Sequence, residues 1–194
     1  MAIADRRQRE RTAQRDLITR SARAIAESEG WDAVTTRRLS AEIEYSQPVI
    51  YRHFASIDHL VEAVALEGFE ELAAALGRAR AAATPDDAVR SIADAYVQWA
   101  AVNPSLYDAM FTRATRVSFG AEDTPAPLAE GYAELRSAVA VQAGRGDVDT
   151  LTEVLWAGLH GLVTLQRGQR LRPDHQPDRV AALVGAITDA TPVL

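Results

Sequence analysis

Gln47, Tyr51, Arg52 and His53 fall within seven residues of one another in the stretch "SQPVIYRHF", Ser46 to Phe54. None of them stands beside the nucleophile or paired carboxylate that covalent or acid–base chemistry needs. Their chemistry is hydrogen bonding. A Gln amide can make paired hydrogen bonds to the major-groove edge of adenine, and Pro48 and Val49 offer apolar surface to a thymine methyl. Tyr51 and His53 can donate to phosphates and so fix a docking register. Arg37 and Arg38, ten or so residues earlier, could reach a guanine or a phosphate.

Such side chains need a short helix to present them. Ser46 is a suitable N-cap, and Pro48 falls in the first turn, where a missing N–H costs little. On that helix Ile50 and Phe54 are four apart and point inward, while Pro48, Val49 and Arg52 point away. Gln47 sits at the N-terminal tip, with Tyr51 and His53 on the flanks. A second short helix is predicted just upstream, over about Thr36 to Ile43, with Thr35 as its cap. About three residues separate the two, the layout of a helix-turn-helix whose second helix enters the major groove. The candidate DNA-binding set is Thr35, Thr36, Arg37, Arg38, Ser46, Gln47, Pro48, Val49, Tyr51, Arg52 and His53. The bland alternative is a helical hairpin whose polar face is merely wet.

Charge is distributed in keeping with the first reading. The chain of 194 residues carries a net charge of −6, yet residues 1–55 hold ten Arg against eight Asp and Glu. Five of those Arg lie between Arg6 and Arg15, an arm that could follow a phosphate backbone. The remainder is acidic, so a mildly basic head is joined to an acidic body. There is no Cys, which excludes disulfides, thiolate metal sites and cysteine nucleophiles. No apolar run reaches membrane-spanning length, and the polar N-terminus lacks the apolar middle of a signal peptide, so a cytoplasmic protein is expected.

The whole chain reads as helix, in nine or so segments, because Ala, Leu, Arg and Glu dominate and Gly and Pro fall between periodic stretches. Helix one is predicted over about Thr12 to Glu29, helix four from after Ser56 to about Arg80, and helix five over about Pro85 to Val102. A short helix "SLYDAMF" follows, then a loop from Arg116 to Pro127. Helices seven, eight and nine are predicted over about Leu128 to Ala143, Val148 to Gln166 and Arg179 to Asp189. The expected fold is all-α, with an N-terminal head over residues 1–56 and a body over residues 57–194.

Helix eight is apolar over much of its circumference. One arc takes Leu151, Val154, Leu155, Gly158, Leu162 and Leu165, and another takes Trp156, Leu159 and Val163. Such a helix must be covered on two sides. Helix nine offers Val180, Leu183, Val184 and Ile187 at matching spacing. Two helices from each of two chains would then make a four-helix seam, with Leu151, Leu155, Gly158 and Leu162 from helix eight. A homodimer suits the head, since two recognition helices about one DNA turn apart read a near-palindrome. A small-molecule pocket among helices four to eight could be walled by Tyr96, Trp99, Tyr107, Met110, Phe111 and Trp156, with His160 as a polar contact. The competing reading of those aromatics is plain core.

The segment "WDAVTTRRLSAEIEYSQPVIYRHFASIDHLVEAV" strongly resembles the DNA-binding head of the TetR family of bacterial transcriptional regulators, over about residues 12–66. The resemblance implies an all-helical homodimer with a helix-turn-helix head and a C-terminal body that binds a small-molecule effector and dimerises. It implies a repressor released from a palindromic operator by that effector. By position, Thr36, Arg37, Gln47, Pro48, Val49, Tyr51 and His53 match residues that members use on DNA. Trp156, His160 and Gly161 resemble the body of a Trp-His-Gly subgroup. Two departures stand out. Glu44 occupies the turn where the family usually has Gly, and Ile57 the helix-four start where it often has Lys.

Two other classes compete. An enzyme would need a constellation that the four His (His53, His59, His160 and His175) do not supply, and no metal or cofactor motif accompanies them. A helical carrier or interaction protein without DNA binding draws its support from Glu44 and Ile57.

Overall fold

A computed structural model describes residues 2–114, 119, 124–142 and 147–189. Among these residues there are nine α-helices and no strand. They are α1 (Ala2–Glu29), α2 (Thr36–Ile43), α3 (Gln47–His53), α4 (Ile57–Ala82) and α5 (Ala88–Val102), then α6 (Pro104–Asp108), α7 (Ala126–Gln142), α8 (Val148–Arg167) and α9 (Gln176–Thr188). No helix among them is long and apolar enough to cross a membrane. The chain forms two compact units. The first comprises residues 1–68 and 104–118, and the second residues 69–103 and 119–194, so α4 is divided between them at Gly68 and Phe69.

In the first unit, Ile18, Ala22 and Ile25 of α1 are buried with Leu39 and Ile43 of α2, Ile50 of α3, and Leu60 and Val64 of α4. α1 begins ten residues before the predicted Thr12. The residues from Ala2 to Arg11 contain no Gly or Pro and are rich in Ala, Arg, Gln and Glu, so nothing stops the helix. An i,i+4 pair, Arg6 Nε to Glu10 Oε1 at 2.8 Å, supports the extension. The arginine arm is therefore part of α1. α1 ends at Gly30, whose φ of 86° is the left-handed conformation that glycine adopts most cheaply.

α6 belongs to this unit although residues 69–103, all of the second unit, separate it from Gly68 in sequence. The Trp31 indole donates to the Ser105 carbonyl at 2.8 Å, and the Ser105 hydroxyl to the Ala26 carbonyl at 3.0 Å. A π-helical turn, Ala109–Arg113, follows α6, and its Arg113 reaches both Asp108 (2.9 Å) and Asp32 (3.1 Å). Gly68 of α4 faces this segment. A Cβ there would lie 2.7 Å from Met110 Sδ and 2.9 Å from Leu106, so the close approach depends on its absence.

The second unit is a bundle of α5, α7, α8 and α9 with the C-terminal part of α4. Tyr96, Trp99, Leu128, Leu135, Leu155, Leu159, Val180 and Ile187 are buried in it. Arg80 and Glu134 pair at 2.6 Å between α4 and α7. The start predicted for helix five at Pro85 is a 3-10 turn, Pro85–Asp87, before α5 proper. α9 starts three residues before the predicted Arg179, with Pro177 in its first turn. Most of the predicted loop from Arg116 to Pro127 lies outside the described residues, and α7 begins at Ala126.

Candidate nucleic-acid interface

The elbow between α2 and α3 is built from a cap and a left-handed residue. The Thr35 hydroxyl accepts from the Arg38 backbone N–H at 3.1 Å, satisfying one donor at the start of α2. α2 ends at Glu44, which adopts φ 56° and ψ 28°. Glycine takes that conformation readily, whereas a side chain there costs about 1–2 kcal/mol. The turn that the sequence marked as unusual is thus a left-handed one occupied by an acid. Ser46 caps α3 by position, and its side chain makes no capping bond. Ile50 and Phe54 are buried as the wheel predicts.

The other side of α3 is open. Gln47, Pro48, Tyr51 and Arg52 are exposed, Tyr51 to 52%, and Val49 and His53 are half-buried. The Thr36 hydroxyl donates to Gln47 Oε1 over a long 3.5 Å, which leaves the amide N–H groups directed elsewhere. Arg37 is exposed and has no ion pair among the described residues. Arg38 is engaged. It pairs with Glu29 and with Glu42, each at 2.7 Å, and these hydrogen bonds, Glu29 first, hold its pKa above the ordinary arginine value.

α1 braces α3. Arg15 donates to the His53 carbonyl at 3.3 Å, and its guanidinium lies 4.3 Å from the centroid of the Phe54 ring. His53 Nε2 meets Gln14 Oε1 at 3.2 Å. Partial burial, then the charges of Arg52, Arg11 and Arg15, hold the His53 pKa below its ordinary value. Arg7, Arg11, Arg52 and His53, with Glu10 and Gln14, line a groove of about 370 Å³. The sequence reading named the arginines of the arm but assigned no site to Arg7, Arg11 or Gln14. Arg7, Arg11 and Gln14 stand at i, i+4 and i+7, which puts them on one face of α1.

The remaining candidates are scattered. Tyr107, Met110 and Phe111 fall in the first unit, where Tyr107 and Phe111 stack at 4.6 Å. Tyr96, Trp99, Trp156 and His160 fall in the second. Tyr96, Trp99, Tyr107 and Met110 are buried, and burial lowers the His160 pKa. Trp156 lines a cavity of about 710 Å³ in the second unit. Of the residues expected at a dimer seam, Leu155, Val180 and Ile187 are buried by their own chain. Leu151, Gly158, Leu162, Leu183 and Val184 are half-buried, and Val154 and Leu165 are 49% and 40% exposed. A Cβ on Gly158 would lie 2.7 Å from Leu183, so that glycine sets the approach of α8 and α9 within one chain.

A capped helix, a left-handed turn and a second helix with one buried and one open side define a helix-turn-helix protein. Residues 18–64 match the family of bacterial regulatory proteins called the tetR family, and residues 89–190 match its tetracyclin repressor-like C-terminal domain. The chain belongs to the TetR family. It is 30% identical over 155 residues to the HTH-type transcriptional regulator Rv0681 of Mycobacterium tuberculosis, a span of 78% of this chain and 69% of that one. A solved structure from Rhodococcus sp. RHA1, of a protein with unknown function, is similar at a TM-score of 0.72 and 25% identity, covering 91% and 94% of the two chains. The fold also matches that of the TetR family regulator PfmR from Thermus thermophilus, with a TM-score of 0.64, 18% identity, and 91% and 99% coverage. The chain is a DNA-binding transcriptional regulator and not an enzyme, of a family in which ligand-responsive repression is typical.

Proposed function

We propose that the open side of α3 docks in the major groove of a near-palindromic operator, with Gln47 reading a base and Pro48 and Val49 against thymine methyls. Tyr51, His53 and the start of α2, with Thr35, Thr36 and Arg37, hold the phosphates. Arg52 extends that anchor, and Arg7 and Arg11 continue it along α1. Arg38, tied to two carboxylates, stiffens the elbow, and Ser46 starts α3. One observation carries this reading: Gln47, Pro48, Tyr51 and Arg52 are exposed together while Ile50 of the same helix and Phe54 at its C-cap are buried. A gel shift against the DNA upstream of the chain's own gene tests it. The expected result is a salt-sensitive complex that Gln47→Ala and Arg37→Ala each weaken; no complex at low salt would favour the carrier reading instead.

The division of labour is residues 1–56 for DNA and residues 57–194 for effector and dimer. Val154, Leu165, Leu151, Leu162, Leu183 and Val184 form the seam with a second copy, over a layer of Leu155, Val180 and Ile187. The half-exposed apolar arc of α8 supports this assignment. Trp156, His160 and Gly161 support membership of the Trp-His-Gly subgroup. A cytoplasmic repressor released by a small molecule is the function these parts serve. α4 has residues in both units, so a ligand that prefers one packing of the second unit can bias the head by its differential affinity.

A further inference from the structure

The cavity of about 710 Å³ in the second unit lies along α7 and α8 and falls in the size range of small-molecule sites. Its walls are chemically uneven. Phe119, Trp156, Tyr132 and Leu128 form an aromatic and apolar side, with the Phe119 and Trp156 rings 4.8 Å apart at 50°. Phe119 meets Phe69 edge-on at 5.7 Å and remains 41% exposed, so part of its ring faces the cavity. α8 brings Asp149 and Glu153 to the same cavity one turn apart. Asp149 is neutralised by Arg136 at 2.5 Å, whereas Glu153 has no ion pair among the described residues. Among the described residues no cationic side chain lines the cavity. Ring faces beside an uncompensated carboxylate attract a positive charge carried on a lipophilic body, through the ring quadrupole and direct Coulomb attraction. An anionic effector would meet the carboxylate and, among the described residues, no cation on these walls.

We propose that this cavity binds a lipophilic organic cation, a protonated arylalkylamine or quaternary onium ion, with its charge beside Glu153 and its apolar body against Phe119, Tyr132 and Trp156. The inference rests on reading the second unit as the effector body, and it names the chemical class that body accepts. Tetraphenylphosphonium and tetraphenylborate share shape and size and differ in the sign of their charge. Calorimetric titration of each into the full-length chain in sodium buffer therefore isolates the charge preference. Tetraphenylphosphonium is expected to bind at least about tenfold more tightly. Glu153→Gln should reduce that preference about five- to tenfold, and Glu153→Lys should reverse it; both changes are at an exposed position that the fold tolerates. Equal affinities, tighter tetraphenylborate binding, no tetraphenylphosphonium binding at millimolar concentration, or indifference to Glu153→Gln would each overturn the site. Release of bound DNA by the same two ions is scored separately. A Glu153-dependent cation that leaves the DNA complex intact keeps the site and overturns the effector reading. Release by both ions alike, unaffected by Glu153→Gln, does the reverse.

Discussion

At the elbow, the side chains divide by what removing each would change. Gln47→Ala is expected to cost about 1–3 kcal/mol of specific affinity and to relax the preference at one base position, with little change in salt dependence. Arg37→Ala should weaken all sequences alike and lower the salt slope by about one. Arg38→Ala should instead lower the melting temperature of the head and leave the salt slope unchanged, since its charge is spent on Glu29 and Glu42. Parallel salt titrations and thermal melts of the three variants separate the roles. His53 adds a pH dependence. Its folded pKa lies below the ordinary value near 6.5, so the free protein holds it neutral at pH 7. Phosphate docked beside Arg11, Arg15 and Arg52 offsets the positive field that opposes protonation, and binding takes up a proton. Operator affinity should therefore rise a few-fold, about three- to fivefold, between pH 7.5 and 6, and His53→Gln should flatten the profile. Stability moves the other way: a depressed imidazole pKa destabilises the fold as pH falls below about 6.5.

At the scale of elements, two contacts carry predictions. Replacing Glu44 by Gly relieves a left-handed side chain, at some cost in chain entropy, for a net gain of about 0.5–1 kcal/mol. It also removes an acid from the DNA side, so the melting temperature and non-specific affinity should rise together. Gly68→Ala pushes a methyl against Met110 and Leu106 and should destabilise the first unit by about 1–3 kcal/mol, measured by denaturant unfolding. These elements were legible to different degrees. The limits of α2 and the start of α3 could be read to the residue because Thr35, Ser46 and Pro48 are local signals. The start of α1 could not, because a polar run with no breaker carries no boundary. Glu44 announced its conformation by standing where a glycine is expected. The place of α6 in the first unit was hidden, since Trp31 and Ser105 are 74 residues apart and no periodicity connects them. The cavity was hidden likewise: Tyr132 lies on α7, Glu153 on α8 and Phe119 on neither, and only Trp156 among its walls was marked by composition. The aromatics that composition did mark, Tyr96, Trp99 and Tyr107, are buried.

For the whole molecule, residues 1–55 carry ten Arg against eight Asp and Glu while the remainder is acidic, and that split is expected to steer the N-terminal helices toward a polyanion. A helix of seven residues such as α3 buries little surface on DNA, so a second copy is expected to raise affinity by linkage. Val154→Glu together with Leu165→Glu on the exposed arc of α8 should give a monomer by light scattering and remove operator binding while helicity is kept. The most direct measurement is the salt dependence of binding to DNA fragments that the protein retains from its own genome, compared for wild type and Gln47→Ala. A steep linear fall of log affinity with log salt, from a complex of two chains, and a selective loss of the retained fragment in the variant, are the expected results. A monomer that holds no duplex at low ionic strength, or a Gln47→Ala variant that keeps full preference for the same fragment, would contradict the assignment of α3 to the groove.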